Sequence, residues 1–497
     1  MTIDVRNLQT AHGDIIDLAD PDIDQYDMWQ IKSNLSGHTH PLIESNHPVF
    51  KLRGFTEEVF NNKDPNKKII AVQFFIPTSG YANFDSAGNL YTDFSFRDQQ
   101  IDFLISYFEN FNDIDKSLCI SFCDESPTIK DSLEILYNLM ALYDIPEDRV
   151  MILGNNFAGQ DVVNQHAKDN GEIPLKYIVG WWMLGHMDTI QLERIADPLS
   201  NQKYHLNPVD TKQKQNTFTF LNRREVENRV ALLWFLWERR IKAYKNIISA
   251  FPPLRLFGID PNRKGASPSE GEVRNHYTTI FFQTVMKKFY EGSVLHINQE
   301  LVDKFVSEMK LGKTIEGDAP FIGDVESKFM PLDNDAYIWL TCESTSELDE
   351  KNLFFTEKVL KPMAHGQALV VYAQPGFVDA FKQLGFYTLA EELGIDESYD
   401  SVIDNGERMR MIADQIEQIS TVPLAELHQR WLKCQDKVDH NRKLIFAMLS
   451  NLSTSHFMRN QSTYYVDNFL DNTTRSDTEQ ALKDYKDFFN VEDIFDN

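Results

Sequence analysis

Phe220-Leu221-Asn222-Arg223-Arg224 lies at a strand end and opens a helical pattern. The first turn of a helix carries unsatisfied N–H groups and the positive end of the dipole, so it favours anions. Arg223 and Arg224 add planar guanidinium forks, which fit a phosphate bidentately. The chemistry this arrangement suits is binding of an anion, with a diphosphate as the natural occupant. The competing reading is two solvated charges paired with Glu225 and Glu227. Segment 222–245 holds seven Lys/Arg against three Glu, a positive island that weighs towards the anion site.

A second constellation lies in Phe354-Phe355-Thr356-Glu357-Lys358-Val359-Leu360-Lys361-Pro362-Met363-Ala364-His365-Gly366. Thr356 suits an N-cap, Glu357 the first turn and Gly366 the C′ position of a short helix. Pro362 inside that helix removes a hydrogen bond and kinks it. Lys358 in the first turn runs against the dipole preference, which suggests that it meets an anion there. Glu357 suits an acceptor of hydroxyl hydrogen bonds. The plain alternative is an amphipathic helix with Lys358 in water.

The elements that must position these residues show a strand–helix rhythm. Apolar runs at 69–76, 117–122, 149–154 and 177–180 alternate with helical patterns at 98–110, 128–143 and 160–170. That alternation predicts an α/β fold, a parallel sheet with helices on both faces. Polar residues 200–216 read as a linker. A second cycle follows, with strands at 217–222, 337–341 and 368–372 and helices at 225–250, 356–365, 409–419 and 425–450. Val230, Leu233, Trp234, Trp237 and Ile241 fall at helical spacing and read as core. The chain is thus expected to hold an irregular N-terminal extension (1–64), a first Rossmann-like domain (65–205), a second one (216–450) and an acidic segment (451–497) packing back. In such folds ligands bind at the carboxyl ends of strands.

Composition narrows the function. Of 497 residues, 42% are apolar and 25% charged, which excludes disordered, collagenous and membrane-spanning chains. The net charge of −26 disfavours non-specific binding to nucleic acid or anionic membranes. Four cysteines are too few for a disulfide framework, and no secretory leader is apparent, so a cytoplasmic location is expected. Asp333-Asn334-Asp335 spells a metal motif but precedes its strand, and His38, His40 and His47 read as a loop cluster. No metal site is expected. P-loop, His-Glu-x-x-His and Gly-x-Gly-x-x-Gly motifs are missing from the sequence.

Glu343, then Phe355-Thr356-Glu357-Lys358 with Lys361-Pro362, then Gly366 and the run Ala368–Tyr372, resembles the donor-binding segment of fucosyltransferase-like glycosyltransferases. Leu153-Gly154-Asn155-Asn156, Leu221-Asn222-Arg223-Arg224, Gln374-Pro375-Gly376-Phe377, Leu384-Gly385-Phe386 and Asp396-Glu397-Ser398-Tyr399-Asp400 extend the likeness to phage and bacterial glycosyltransferase-like proteins. It covers roughly residues 65–440. The resemblance implies a GT-B architecture: two Rossmann-like domains facing each other across a cleft that takes a nucleotide-diphosphate sugar. It implies Lys358 with Arg223 or Arg224 on the diphosphate, Glu357 on the donor ribose, and Thr356, Glu343 and Gly366 in the same donor site. No cofactor beyond that co-substrate is implied, and no metal. Inversion would need a general base in the first half. Glu125 and Asp124, at a strand end, are the candidates there, followed by His186; each reads first as a structural polar residue. The acceptor stays open between a glycan, a protein and a modified DNA base, as does the oligomeric state. The rival readings are a non-catalytic binding module on the same fold and a phage enzyme that sugar-modifies DNA bases.

Overall fold

The computed structural model describes residues 15–17, 68–74, 81–84, 90–93, 116–122, 129–154, 156–179, 209–220, 227–241, 246–248, 279–280, 282–291, 293–309, 335–343, 351–453 and 477–488. Strands β1 (Ile15–Asp17), β2 (Lys68–Phe74), β3 (Tyr81–Phe84), β4 (Leu90–Asp93), β5 (Lys116–Phe122), β6 (Val150–Gly154) and β7 (Lys176–Val179) come first. β8 (Asn216–Phe220), β9 (Asn246–Ile248), β10 (Ala336–Cys342) and β11 (Ala368–Tyr372) follow. The helices begin with α1 (Lys130–Leu142), α2 (Gly159–Asn170), α3 (Glu227–Glu238), α4 (Gln299–Met309) and α5 (Glu357–Ala364). They continue with α6 (Phe377–Gln383), α7 (Ala390–Leu393), α8 (Asn405–Ser420), α9 (Leu424–Leu432), α10 (Gln435–Ser453) and α11 (Thr478–Phe488). The fold is mixed α/β with parallel sheets. The chain divides into two units. One comprises Met1–His205, Glu347–Glu357 and Phe446–Asn497; the other comprises Leu206–Ser346 and Lys358–Ile445.

The sheet of the first unit runs β1-β2-β5-β6-β7, parallel except for β1, which pairs antiparallel with β2. β3 and β4 form a separate antiparallel hairpin. From β2 to β7 the order advances in one direction. Right-handed crossovers then place α1 and α2 on one face, and these helices pack on each other. The two-sided covering read from the sequence is therefore not the arrangement of these two helices.

The turn after β6 is built around Tyr177. A Cβ at Gly154 would lie 2.1 Å from the Tyr177 hydroxyl oxygen, and one at Gly159 would lie 2.2 Å from its ring. Only glycine leaves the ring its place, and the Tyr177 hydroxyl accepts the Asn156 N–H at 3.0 Å. Gly159→Ala is expected to lower stability by about 1–3 kcal/mol through overpacking. Urea denaturation measures this; an unchanged midpoint would show that the Tyr177 ring swings aside freely.

The side chain of Asn156 is buried and fastens a distant stretch of chain. Its Oδ1 accepts the N–H groups of Ala158 and Leu353, both at 2.9 Å, and its Nδ2 donates to the Lys351 carbonyl at 3.1 Å. Asp161 on α2 accepts from Lys351 Nζ at 3.1 Å and from the Thr478 hydroxyl at the start of α11. One carboxylate thus joins three remote segments. Leu153-Gly154-Asn155-Asn156, one of the motifs carrying the resemblance, has a structural task at its described positions.

The second unit holds a four-stranded parallel sheet in the order β11-β10-β8-β9. β10 and β11 are buried along their whole length, as is β8 from Thr217 onward. Their runs of aromatic and branched residues suit a sheet covered on both faces. α3 is buried from Asn228 to Leu236, so it is apolar on nearly every side. α8 packs on α3, and α9 packs against β8 and β10.

The helix expected over 225–250 ends at Glu238. Arg240 takes a left-handed φ of 54°, and Asn246-Ile247-Ile248 then joins the sheet beside β8. The helix expected over 425–450 is two, because tight turns at Lys433 and Cys434 close α9 before α10 begins. Among the described residues no helix is long and apolar enough to cross a membrane.

Candidate functional site

Strand order in the second sheet reverses between β8 and β10. From β8 the chain moves outward to β9, then returns to the other side of β8 to lay down β10 and β11. Open α/β sheets bind ligands at the carboxyl ends of the strands flanking such a reversal, here β8 and β10. The residues at that point are set by the register. Leu340 pairs with Phe220, the last residue of β8, and Cys342 pairs with Tyr372, the last of β11. Glu343 follows directly. Its N–H donates to the Tyr372 carbonyl, and its own carbonyl accepts Asn228 Nδ2 at 2.9 Å.

The Glu343 side chain is 1% exposed and pairs with Lys358 Nζ at 3.9 Å. This answers the anomaly of a lysine in the first turn of α5: a buried carboxylate meets it. Lys358 keeps a 20% exposed side chain, with its ammonium turned to Glu343. On the β8 side, the first turn of α3 brings Asn228 and Arg229 to the same end of the sheet. Arg229 is 7% exposed. Burial pushes the Cys342 thiol up to about 12, with the positive charge of Arg229 opposing and the negative charge of Glu343 reinforcing the shift. That thiol is inert as a nucleophile at neutral pH. Among the described residues, this sheet end holds a buried carboxylate, the Lys358 side chain and the first turn of α3 with Arg229, a setting suited to an oxyanion.

The structure brings together only part of the expected donor set. Glu343 and Lys358 meet. Thr356 is fully buried and immediately precedes α5; of Glu357 only the backbone at the start of α5 is described. Gly366 lies away from them, at the amino end of β11. It has φ 66° and closes α5, with its N–H on the Met363 carbonyl and Gln367 N–H on the Pro362 carbonyl. Its own carbonyl accepts Trp431 Nε1 at 2.7 Å. Gly366 is thus a helix terminator at the amino end of β11, and the structure does not bring it together with Glu343 and Lys358. Arg223, Arg224, Asp124, Glu125 and His186 lie outside the described residues. Asp335 accepts Gln215 N–H at 3.0 Å and Asn216 Nδ2 at 3.2 Å, fastening the amino end of the sheet.

The other motifs of the resemblance build the frame. Asp400 accepts the N–H groups of Val378 at 3.0 Å and Asp379 at 3.1 Å, so the start of α6 holds an internal carboxylate. Burial raises the Asp400 carboxyl, and these two bonds counter the rise. Lys382 binds Glu397 at 2.6 Å, and Gly376, at φ 80°, sets the turn into α6.

Sequence reasoning missed Arg229, because the helix was expected to start at 225, which put Arg229 beyond its first turn. It also missed Lys214, which stands in the polar stretch taken as a linker. Lys214 is 8% exposed, and its Nζ lies over the Trp431 ring, 5.4 Å from the centroid. Burial pulls its ammonium down to about 8, against the attraction of Asp335 and Asp210. Comparisons with protein-family models, with curated proteins and with solved structures returned no match.

Proposed function

We propose that the second unit binds a nucleotide-diphosphate sugar and that the chain is a metal-independent, inverting glycosyltransferase of GT-B type. The observation that carries this reading is the Glu343–Lys358 pair at the carboxyl end of β10, beside the reversal of strand order. Departure of a nucleoside diphosphate develops negative charge that must be met by fixed cations and helix ends. Lys358 supplies one such cation on a rigid helix, and Glu343 keeps it oriented. Arg223 or Arg224 adds to the phosphate contacts, and Glu357 takes the ribose. The base that deprotonates the acceptor is Glu125 or Asp124, with His186 after them. The protein works in the cytoplasm on an acceptor not specified by these residues. A binding module of the same fold would share the donor site without turnover.

The test is a thermal-shift panel of GDP, UDP, CDP, ADP and dTDP on the full chain. Ligand at 100 times its dissociation constant stabilises by about 2.7 kcal/mol, a visible shift. A shift with one of the five names the donor base. Slow hydrolysis of the matching nucleotide sugar then separates transferase from binding module. No shift with any of the five removes the reading.

A further inference from the structure

The chain leaves the second unit after Ser346 and re-enters it at Lys358, and the excursion 347–357 belongs to the first unit. Glu343 stands three residues before Ser346, and Lys358 is the first residue after the return. Their ion pair therefore closes the base of the excursion. At 3.9 Å the contact is longer than a hydrogen bond, so attraction alone does not fix where the ammonium stands. The excursion is held at the turn between β6 and α2. Asn156 Oδ1 accepts the Leu353 N–H at 2.9 Å, and its Nδ2 donates to the Lys351 carbonyl at 3.1 Å. The Phe157 N–H donates to the Leu353 carbonyl at 3.0 Å. The Phe157 ring meets the Phe355 ring edge to face, with centroids 5.3 Å apart. Leu353, Phe354, Phe355 and Thr356 are all buried. Lys358 follows Phe355 by three residues, which is at most about 11 Å of chain.

We propose that Asn156 is a positioning residue for Lys358. By holding 351–353 it fixes the excursion that delivers the start of α5, and with it the approach of Lys358 to Glu343. A cation that acts on a ligand needs such support behind it, since its placement decides its effect. The role of Lys358 towards a diphosphate rests on the glycosyltransferase reading; the positioning of the ion pair does not. The rival account is that α5 is fixed by its own buried residues, Val359, Leu360 and Met363, whatever holds the excursion. No covalent step is involved.

The experiment takes the coupling between Glu343 and Lys358 from urea denaturation of the full chain, its Glu343→Gln and Lys358→Met variants and the double variant. The same four chains are then made with Asn156→Ala. Asn156→Ala is expected to lower stability in all of them and, beyond that, to shrink the coupling. A purely structural asparagine would lower stability and leave the coupling as it is, and that result overturns the proposal. A native chain with no coupling between Glu343 and Lys358 overturns it as well. Asn156→Asp keeps the acceptor of the Leu353 N–H and loses the donor to the Lys351 carbonyl. If Asn156→Ala does not fold, the same comparison in Asn156→Asp decides on the same terms. Calorimetric titration of the native and Asn156→Ala chains follows, with inorganic pyrophosphate and then with the five nucleoside diphosphates. Pyrophosphate is expected to bind about 10-fold more weakly to Asn156→Ala. A shrunken coupling with no diphosphate bound, or with affinity unchanged, supports Asn156 and defeats the donor-site reading alone.

Discussion

Lys358→Ala is expected to abolish diphosphate binding and to destabilise the second unit by about 3 kcal/mol. Both effects arise from one geometry. Glu343 is 1% exposed and Lys358 stands 3.9 Å away, so removing the lysine takes an ion-pair partner from a buried carboxylate. Breaking such a pair from one side costs more than replacing both partners with neutral groups. The double variant Glu343→Gln/Lys358→Met should therefore recover part of the stability and none of the binding. Urea denaturation gives the coupling between the two sites, expected at about 1–3 kcal/mol. If Lys358→Ala keeps native stability, the pair is a surface contact. If it keeps native ligand affinity, the donor site lies elsewhere.

Lys214→Met is expected to raise stability at pH 7 and to flatten its alkaline rise. The folded chain holds the Lys214 ammonium at about 8, below the ordinary 10.5. Between those values the unfolded chain binds the larger share of the proton, so stability climbs with pH across that window. Below pH 8 both states are protonated, and the folded state bears the full cost of burying the charge. A shift from 10.5 to about 8 corresponds to about 3 kcal/mol at most. The ring of Trp431 and the charges of Asp335 and Asp210 already offset part of the desolvation. The substitution spares the Lys214 N–H, which donates to the Tyr337 hydroxyl at 3.0 Å. Melting temperatures of both chains from pH 6 to pH 10 make the comparison. An identical pH slope in the two would show that Lys214 is solvated.

β2, β5, β6, β7, β10 and β11 were legible as short apolar runs stopped by polar, Gly or Pro residues, whereas β1, β3, β4 and β9 were not read from the sequence. Ala368–Tyr372 is buried along its length and contains no polar alternation to mislead, while Thr217–Phe220 alternates Thr with Phe and is buried all the same. Helix ends were legible only where local chemistry dictates them, as with Gly366. The end of α3 was not, since nothing local in Glu238-Arg239-Arg240 foretells a left-handed arginine; the pairing of β9 with β8 decides it. Likewise the polar residues before β8 read as linker, while Lys214 packs on Trp431, 217 positions away. Lys358 was found as a breach of a helix rule. Arg229 makes the same breach, but a helix read as starting at 225 puts it past the first turn; the structure starts α3 at Glu227 and brings it inside.

The three-way bond at Asp161 bears on how the chain comes off the ribosome. α2 is complete by residue 170, yet the partners of Asp161 are made only when residues 351 and 478 have been synthesised. Asn156 likewise waits about 200 residues for Lys351 and Leu353. The first unit must therefore linger unfinished through most of translation, while Leu206–Ser346 and Lys358–Ile445 can associate earlier. Such delayed long-range closure slows folding and prolongs exposure of apolar surface. The N-terminal half is the part of this protein with most need of a chaperone.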